Sequence, residues 1–209
     1  MKAKKLLTIA MAAAMTMTAT LTVAAEGTKQ LTDQNPSDFT EVRAHITGSA
    51  GAVSYIIEIP ELVDFGELTQ PADEADRYVY KPYDVTAIEI NGLTENQQVS
   101  VYVKDENASV DDSFFYITNT DPSKADQQLI YSVYAEAEAA ITTTTVPISS
   151  GVMVDSTKGF FLTGFTTAGE AVNGTLSLNQ QQLYGKDLDA ISGDYSGHMV
   201  FYSEIANKT

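Results

Sequence analysis

The chain has no cysteine and no tryptophan, only two histidines, and 12 lysines and arginines against 28 acids. Without cysteine there can be no disulfide, thiolate metal site, cysteine nucleophile or lipid attached through an N-terminal cysteine. The fold must be held by its core alone, and a chain of this size buries about 70% of its unfolded surface, enough for that. Scarce positive charge leaves a formal net charge of −16, which repels nucleic acid and anionic membrane surfaces. His45 and His198 are far apart, each flanked by apolar residues, and neither stands in a His-x-x-x-His or Glu-x-x-His spacing. Paired-histidine metal sites are therefore excluded. A nucleophile–base–acid set is also poorly served, because no Gly-x-Ser-x-Gly elbow occurs. The expectation is a protein with no catalytic residues, no cofactor and no metal site.

Long apolar runs are also missing, with one exception at the start. Lys2, Lys4 and Lys5 precede an uncharged stretch from Leu6 to Val23, and Val23-Ala24-Ala25 offers small residues before Glu26. Positive start, apolar middle and small-residue exit describe a secretory signal peptide over residues 1–25. Thr16, Thr18, Thr20 and Thr22 dilute the stretch as a membrane anchor. Its removal takes away three lysines and no acid, leaving 184 residues with a charge of −19. The mature protein is expected outside the membrane, secreted or at the cell surface.

Alternation with period two dominates what remains. Val42, Ala44 and Ile46 alternate with Glu41, Arg43 and His45; Val53, Tyr55, Ile57 and Ile59 run up to Pro60; Val85 to Ile90 ends at Asn91-Gly92; Val99, Val101 and Val103 alternate with polar residues. Phe114–Thr118, Leu129–Ala135, Phe160–Thr163, Thr175–Leu178 and Met199–Ile205 read as further strands. Turn-formers stand between them: Asn-Gly at 91–92 and 173–174, Asp121-Pro122, Ser150-Gly151 and Ser192-Gly193-Asp194. Asp126–Ala140 has helix-forming composition towards its end, yet Leu129, Tyr131, Val133 and Ala135 keep period two and read as strand. Asn179–Leu188 holds a single helical turn. The fold expected is all-β: one antiparallel β-sandwich, Ig-like, jelly-roll or Greek-key, of roughly eight to ten strands with little helix. It spans residues 39–209 behind a flexible N-terminal arm, 26–38.

Acids cluster at Asp73-Glu74-Ala75-Asp76, Asp105-Glu106, Asp111-Asp112 and Asp187-Leu188-Asp189. None follows the twelve-residue calcium loop, so they read mainly as solvated loop carboxylates, with weak calcium binding as the other use. Glycosidase chemistry needs two carboxylates at a set separation, which spacing along a chain does not supply. With no tryptophan, aromatic recognition falls to Tyr78, Tyr80, Tyr83, Tyr131 and Tyr134. Stacked tyrosines make a sugar platform, although tyrosine on a strand is more often cross-strand packing.

The last strand region, Ile191 to Tyr202, carries Gly193, Tyr195, Gly197, Met199 and Phe201 in a Gly-x-aromatic-x-Gly-x-hydrophobic-x-aromatic pattern. It resembles the closing strand of β-sandwich surface and fimbria-like proteins of Gram-positive bacteria. Ile57-Glu58-Ile59-Pro60 leading to Asp64-Phe65-Gly66 looks like the opening of such domains. The plan is similar to spore-coat-type pilins of chaperone-usher systems and to camelysin-type biofilm-fibre subunits, without the pilin cysteine pair. The resemblance implies a structural subunit of an extracellular fibre, pilus or biofilm assembly, built by donor-strand exchange. Its partners are then copies of itself or related subunits, with host or matrix glycans as further ones. Phe39, Val42, Ala44 and Ile46 are the candidate donor strand, since backbone bonds give affinity and alternate side chains give register. No Leu-Pro-x-Thr-Gly sorting signal or apolar tail follows Ile205, which favours assembly. The alternative is an adhesin-like sandwich that binds carbohydrate or protein through loops such as Thr69–Pro82.

Cleavage after Ala25 predicts a mature chain that starts at Glu26. The intact mass of the exported form should match residues 26–209; an uncleaved Met1 in the membrane fraction would contradict it.

Overall fold

A computed structural model describes residues 28–32, 37–38, 53–109 and 114–208. The expected signal peptide, the candidate donor residues Phe39, Val42, Ala44 and Ile46, and Asp111-Asp112 lie outside the described residues. The protein is mostly strand, in two antiparallel sheets, one curled into a half-barrel. The strands are β1 Thr28–Thr32, β2 Ser37–Asp38, β3 Ser54–Pro60, β4 Tyr78–Asn91, β5 Gln97–Asp105 and β6 Phe115–Asn119, then β7 Gln128–Tyr134, β8 Phe160–Phe165, β9 Ala171–Asn179, β10 Tyr195–Ser196 and β11 Met199–Asn207. Seven form one sheet in the order β1-β3-β4-β9-β7-β6-β10, and four form the other in the order β2-β11-β5-β8. The segment expected as a flexible arm thus supplies β1, paired to β3, and β2, paired to β11.

The alternating residues decide how the sheets meet. Tyr55, Ile57 and Ile59 of β3, Tyr83, Val85 and Ala87 of β4, Val133 of β7 and Leu176 and Leu178 of β9 are buried in one cluster. Val99, Val101 and Val103 of β5, Phe160 of β8 and Phe201 of β11 join the same cluster from the four-stranded sheet. Phe115 and Phe160 meet across the gap with ring centroids 6.1 Å apart. Each such side chain contributes about 1.5–3 kcal/mol by leaving water. Polar bonds also span the sheets: the Tyr55 hydroxyl donates to the Ser203 carbonyl at 3.1 Å, and the Tyr116 amide of β6 donates to Asp105 of β5 at 3.1 Å. β5 is buried on both faces, because Gln98, Ser100 and Tyr102 on its other side are covered as well.

Several local readings resolve differently from expectation. Asn173-Gly174 makes no turn but lies within β9, paired with Tyr83 and Asp84. A Cβ at Gly174 would overlap the Tyr83 ring, so the glycine is there for close approach. The Tyr83 hydroxyl passes over it to donate to the Tyr134 carbonyl at 3.0 Å. β7 stops at Tyr134, and the helix-favouring residues after it supply one 3₁₀ turn, Glu138–Ala140. A further 3₁₀ turn, Gln180–Leu183, falls where a helical turn was expected. β4 starts seven residues before the stretch read as strand and includes Pro82. There β4 pairs with β9 only, because β3 reaches it from Thr86 onward, and a strand paired on one side tolerates the missing N–H.

Gly174→Ala should lower the stability of the protein by about 1–3 kcal/mol through overpacking against Tyr83. Denaturant unfolding of both forms measures this; an unchanged midpoint would show that the ring moves aside without cost.

Candidate functional site

Where β3 ends at Pro60 the chain leaves the sheet, and residues 61–77 hold no strand. Asp64 Oδ1 accepts from the Gly66 amide at 2.7 Å, and Gly66 adopts φ +74°, a turn that suits glycine. The turn lowers Phe65 onto Tyr131, with ring centroids 5.7 Å apart. Gln70 Nε2 donates to the Leu183 and Lys186 carbonyls, both at 2.8 Å, and so fastens the far end of this segment.

The opposite side is the segment that leads into β11. A single helical turn, α1 (Leu188–Ile191), is capped by Asp187, whose side chain accepts from the Asp189 amide. The buried Asn119 donates to the Ser192 carbonyl, and Lys124 Nζ donates to the Asp189 and Ser192 carbonyls. The Tyr195 hydroxyl donates to the Ile191 carbonyl at 2.7 Å. Between the two sides lies a groove of about 1080 Å³. Ile117, Leu129, Tyr131, Leu176, Leu183 and Phe201 form its floor, which places it over the core. Glu61, Asp64, Glu67 and Asp194 stand among its lining residues. An apolar trough with acids at its margin suits an apolar chain segment better than a charged small molecule.

The five residues of the closing pattern all line this groove, but they do not form one strand. Tyr195 belongs to β10 and pairs with Asn119 of β6; Met199 and Phe201 belong to β11 and pair with Asp105 and Val103 of β5. Gly193, at φ +134°, packs on the Asn119 side chain, and a Cβ at Gly197 would press on the Tyr116 carbonyl. The two glycines let the chain cross from one sheet to the other. Of the pattern, only Phe201 is wholly buried. Asp64-Phe65-Gly66 stands on the opposite wall, so both sequence windows converge on one site. Asn119 and Gln70, which hold the walls, carry no pattern that marks them in the sequence.

Other candidates disperse. His198 Nδ1 lies 2.9 Å from Glu106 Oε1 at the surface, while His45 falls outside the described residues. Among the described residues no group of three or more His, Asp or Glu is placed to hold a metal ion. Asp105 is buried and accepts from the Asn107 and Tyr116 amides; Asp73 pairs with Arg77 at 3.1 Å. Among the described residues no helix is long and apolar enough to cross a membrane. Tyr83 and Tyr131 lie in the core, whereas Tyr78, Tyr80 and Tyr134 stand on the other face of their strands. A second aromatic group, Tyr102, Phe161 and Tyr202, lies on the four-stranded sheet. There Lys158 Nζ sits over two of the rings and pairs with Glu204 at 2.6 Å.

No protein-family model matches the chain, and no curated protein matches it significantly. Among solved structures it is similar to one described as a chaperone–tip adhesin complex in the biogenesis of CFA/I fimbriae, at 15% identity and a TM-score of 0.29. The alignment covers 76% of this chain and 51% of that one, so the chain spans about half the length of that neighbour.

Burial pushes the phenols of Tyr83 and Tyr131 well above their ordinary value, with nearby carboxylates adding to it. A raised folded-state value means that stability is intact below the unfolded phenol value, about 10, and falls as pH rises beyond it. Alkaline titration should therefore show at least two tyrosines, Tyr83 and Tyr131, that ionise only as the protein unfolds. Smooth ionisation of all tyrosines in a folded protein would contradict their burial.

Proposed function

We propose that the protein is a secreted structural subunit of an extracellular surface fibre. In this reading the mature chain is a β-sandwich, acts by assembly and not by catalysis, and polymerises with copies of itself or related subunits. Each subunit donates the strand Phe39–Thr47 to the groove of the next. The observation that supports it most is the apolar groove over the core, whose wall Ser192–Met199 leads into β11. β2 pairs Asp38 with Phe201 and Ser37 with Tyr202 within one chain, so substitutions in the strand must separate one received from another copy from one supplied by the same chain.

The sequence pattern agrees. Val42, Ala44 and Ile46 are the apolar half of a period-two alternation whose polar half is Glu41, Arg43 and His45, and in an extended strand the two halves face opposite ways. An apolar trough over the core, with an apolar half-strand to fill it, is what strand addition requires. The leader at residues 1–25 supports export, and the high negative charge keeps the unassembled subunit soluble.

Replacing Val42 or Ile46 by Asp puts an unpaired charge in the groove, at a cost of several kcal/mol. Oligomers of the mature protein in light scattering should disappear, while circular dichroism and the melting temperature of the monomer stay unchanged. If the same substitution unfolds the isolated monomer, the strand completes its own subunit and the donor reading fails.

A further inference from the structure

The outward face of the seven-stranded sheet holds a second surface, independent of the groove. Along β4, Tyr83, Val85 and Ala87 are buried, so alternation turns Tyr78 and Tyr80 to the other side. On β7, Leu129, Tyr131 and Val133 are buried, which turns Ser132 and Tyr134 outward. β9 lies between them and sets the rows: Tyr80, Ser177 and Ser132 align across three strands, and Pro82, Thr175 and Tyr134 make the next row. Tyr78 aligns with Asn179 at the end.

The rings of Tyr78 and Tyr80 are stacked, with centroids 5.9 Å apart and planes 25° from parallel. Tyr78 is 49% exposed, and Ser177 and Thr175 are covered although they lie on this outward side. The Thr175 hydroxyl is taken up by the Glu136 carbonyl at 2.9 Å, which leaves Ser132 as the partly open hydroxyl among the three phenol rings. Asn179 Nδ2 donates to Asp76 Oδ1 at 2.8 Å, which brings an amide and a carboxylate to the margin. The phenols of Tyr78 and Tyr134 are held above their ordinary value, by burial first and then by neighbouring groups that include Tyr80. They are thus neutral hydroxyls that can donate and accept.

We propose that this face, Tyr78, Tyr80 and Tyr134 around Ser132, binds a neutral saccharide. Sugar rings present apolar C–H faces and hydroxyl edges, and here aromatic faces alternate with hydroxyl, amide and carboxylate groups at matching scale. A purely apolar partner would leave Ser132 under it without water. The charge fixes the kind of sugar: beside the Asp73–Arg77 ion pair, Glu74, Asp76, Glu136 and Glu138 are exposed nearby on the chain, so sialylated or sulphated glycans are repelled. The contrast with the Tyr102 group is direct, since there Lys158 already covers the rings.

The mature protein should be tested on an array of neutral and sialylated oligosaccharides, alongside Tyr78→Ala, Tyr80→Ala and Tyr78→Phe. Neutral glycans should bind, each alanine variant should lose about tenfold in affinity, and Tyr78→Phe should lose less because its ring remains. In the unaltered protein, the tyrosine ring resonances should shift on addition of the best-bound glycan, which needs no variant to fold. Absence of neutral binding, preference for sialylated glycans, or a Tyr78→Ala protein that binds fully would each overturn the proposal. None of these outcomes depends on whether the protein assembles.

Discussion

The apolar seam between the two sheets carries the whole structure. No disulfide can join them, and the polar links from Tyr55 to Ser203 and from the Tyr116 amide to Asp105 are local, so packing of Ile57, Val85 and Phe115 against Val101, Phe160 and Phe201 supplies most of the attraction. This explains why the least exposed side chains are concentrated on β3, β4 and β5. Among the connections that change sheet, β4 to β5, β8 to β9 and β10 to β11 are short, whereas β7 to β8 runs through residues 135–159.

The groove follows from the same geometry. The sheets are closed by packing where strands face each other. They part where β3 gives way to irregular chain after Pro60 and where β10 passes over to β11. Core residues are left as a floor with only loops for walls, and those walls are fixed by Asn119, Lys124, Gln70 and Tyr195. A rigid, apolar trough costs little to fill with an extended segment, because few side chains must be ordered to receive it. The tyrosine face needs the opposite property: it is the outer surface of a fully paired stretch of sheet, so its rows are held by ladder hydrogen bonds.

Much of this was legible from period two. Val99, Val101 and Val103, like Tyr55, Ile57 and Ile59, alternate strictly, and strand alternation survives any tertiary context that has one face inward. The elements that misled did so for tertiary reasons. Asn173-Gly174 has the composition of a turn, but the glycine serves the Tyr83 ring from the neighbouring strand. Ala135–Ala140 has helix propensity, but six residues with no apolar face to bury cannot extend a helix. The closing pattern looked like one strand because Gly197 hides a change of sheet. Parity alone separates Tyr78 and Tyr80 from Tyr83, once β4 is known to extend back to Tyr78; Pro82 obscured that extension. The groove itself, built by irregular chain and by side-chain to carbonyl bonds, has no periodic signature.

The central claim is that the groove beside β11 receives a strand from another copy, and the lack of native cysteine makes it directly measurable. If a donated strand keeps the antiparallel register of β2 against β11, Thr40 of one copy meets Met199 of the next, which lines the groove. Mature protein carrying Thr40→Cys and Met199→Cys, oxidised under conditions of assembly, has only these two thiols to join. The account predicts a ladder of disulfide-linked dimers, trimers and higher species on a non-reducing gel. A single band of monomer with its own two cysteines bridged would contradict it.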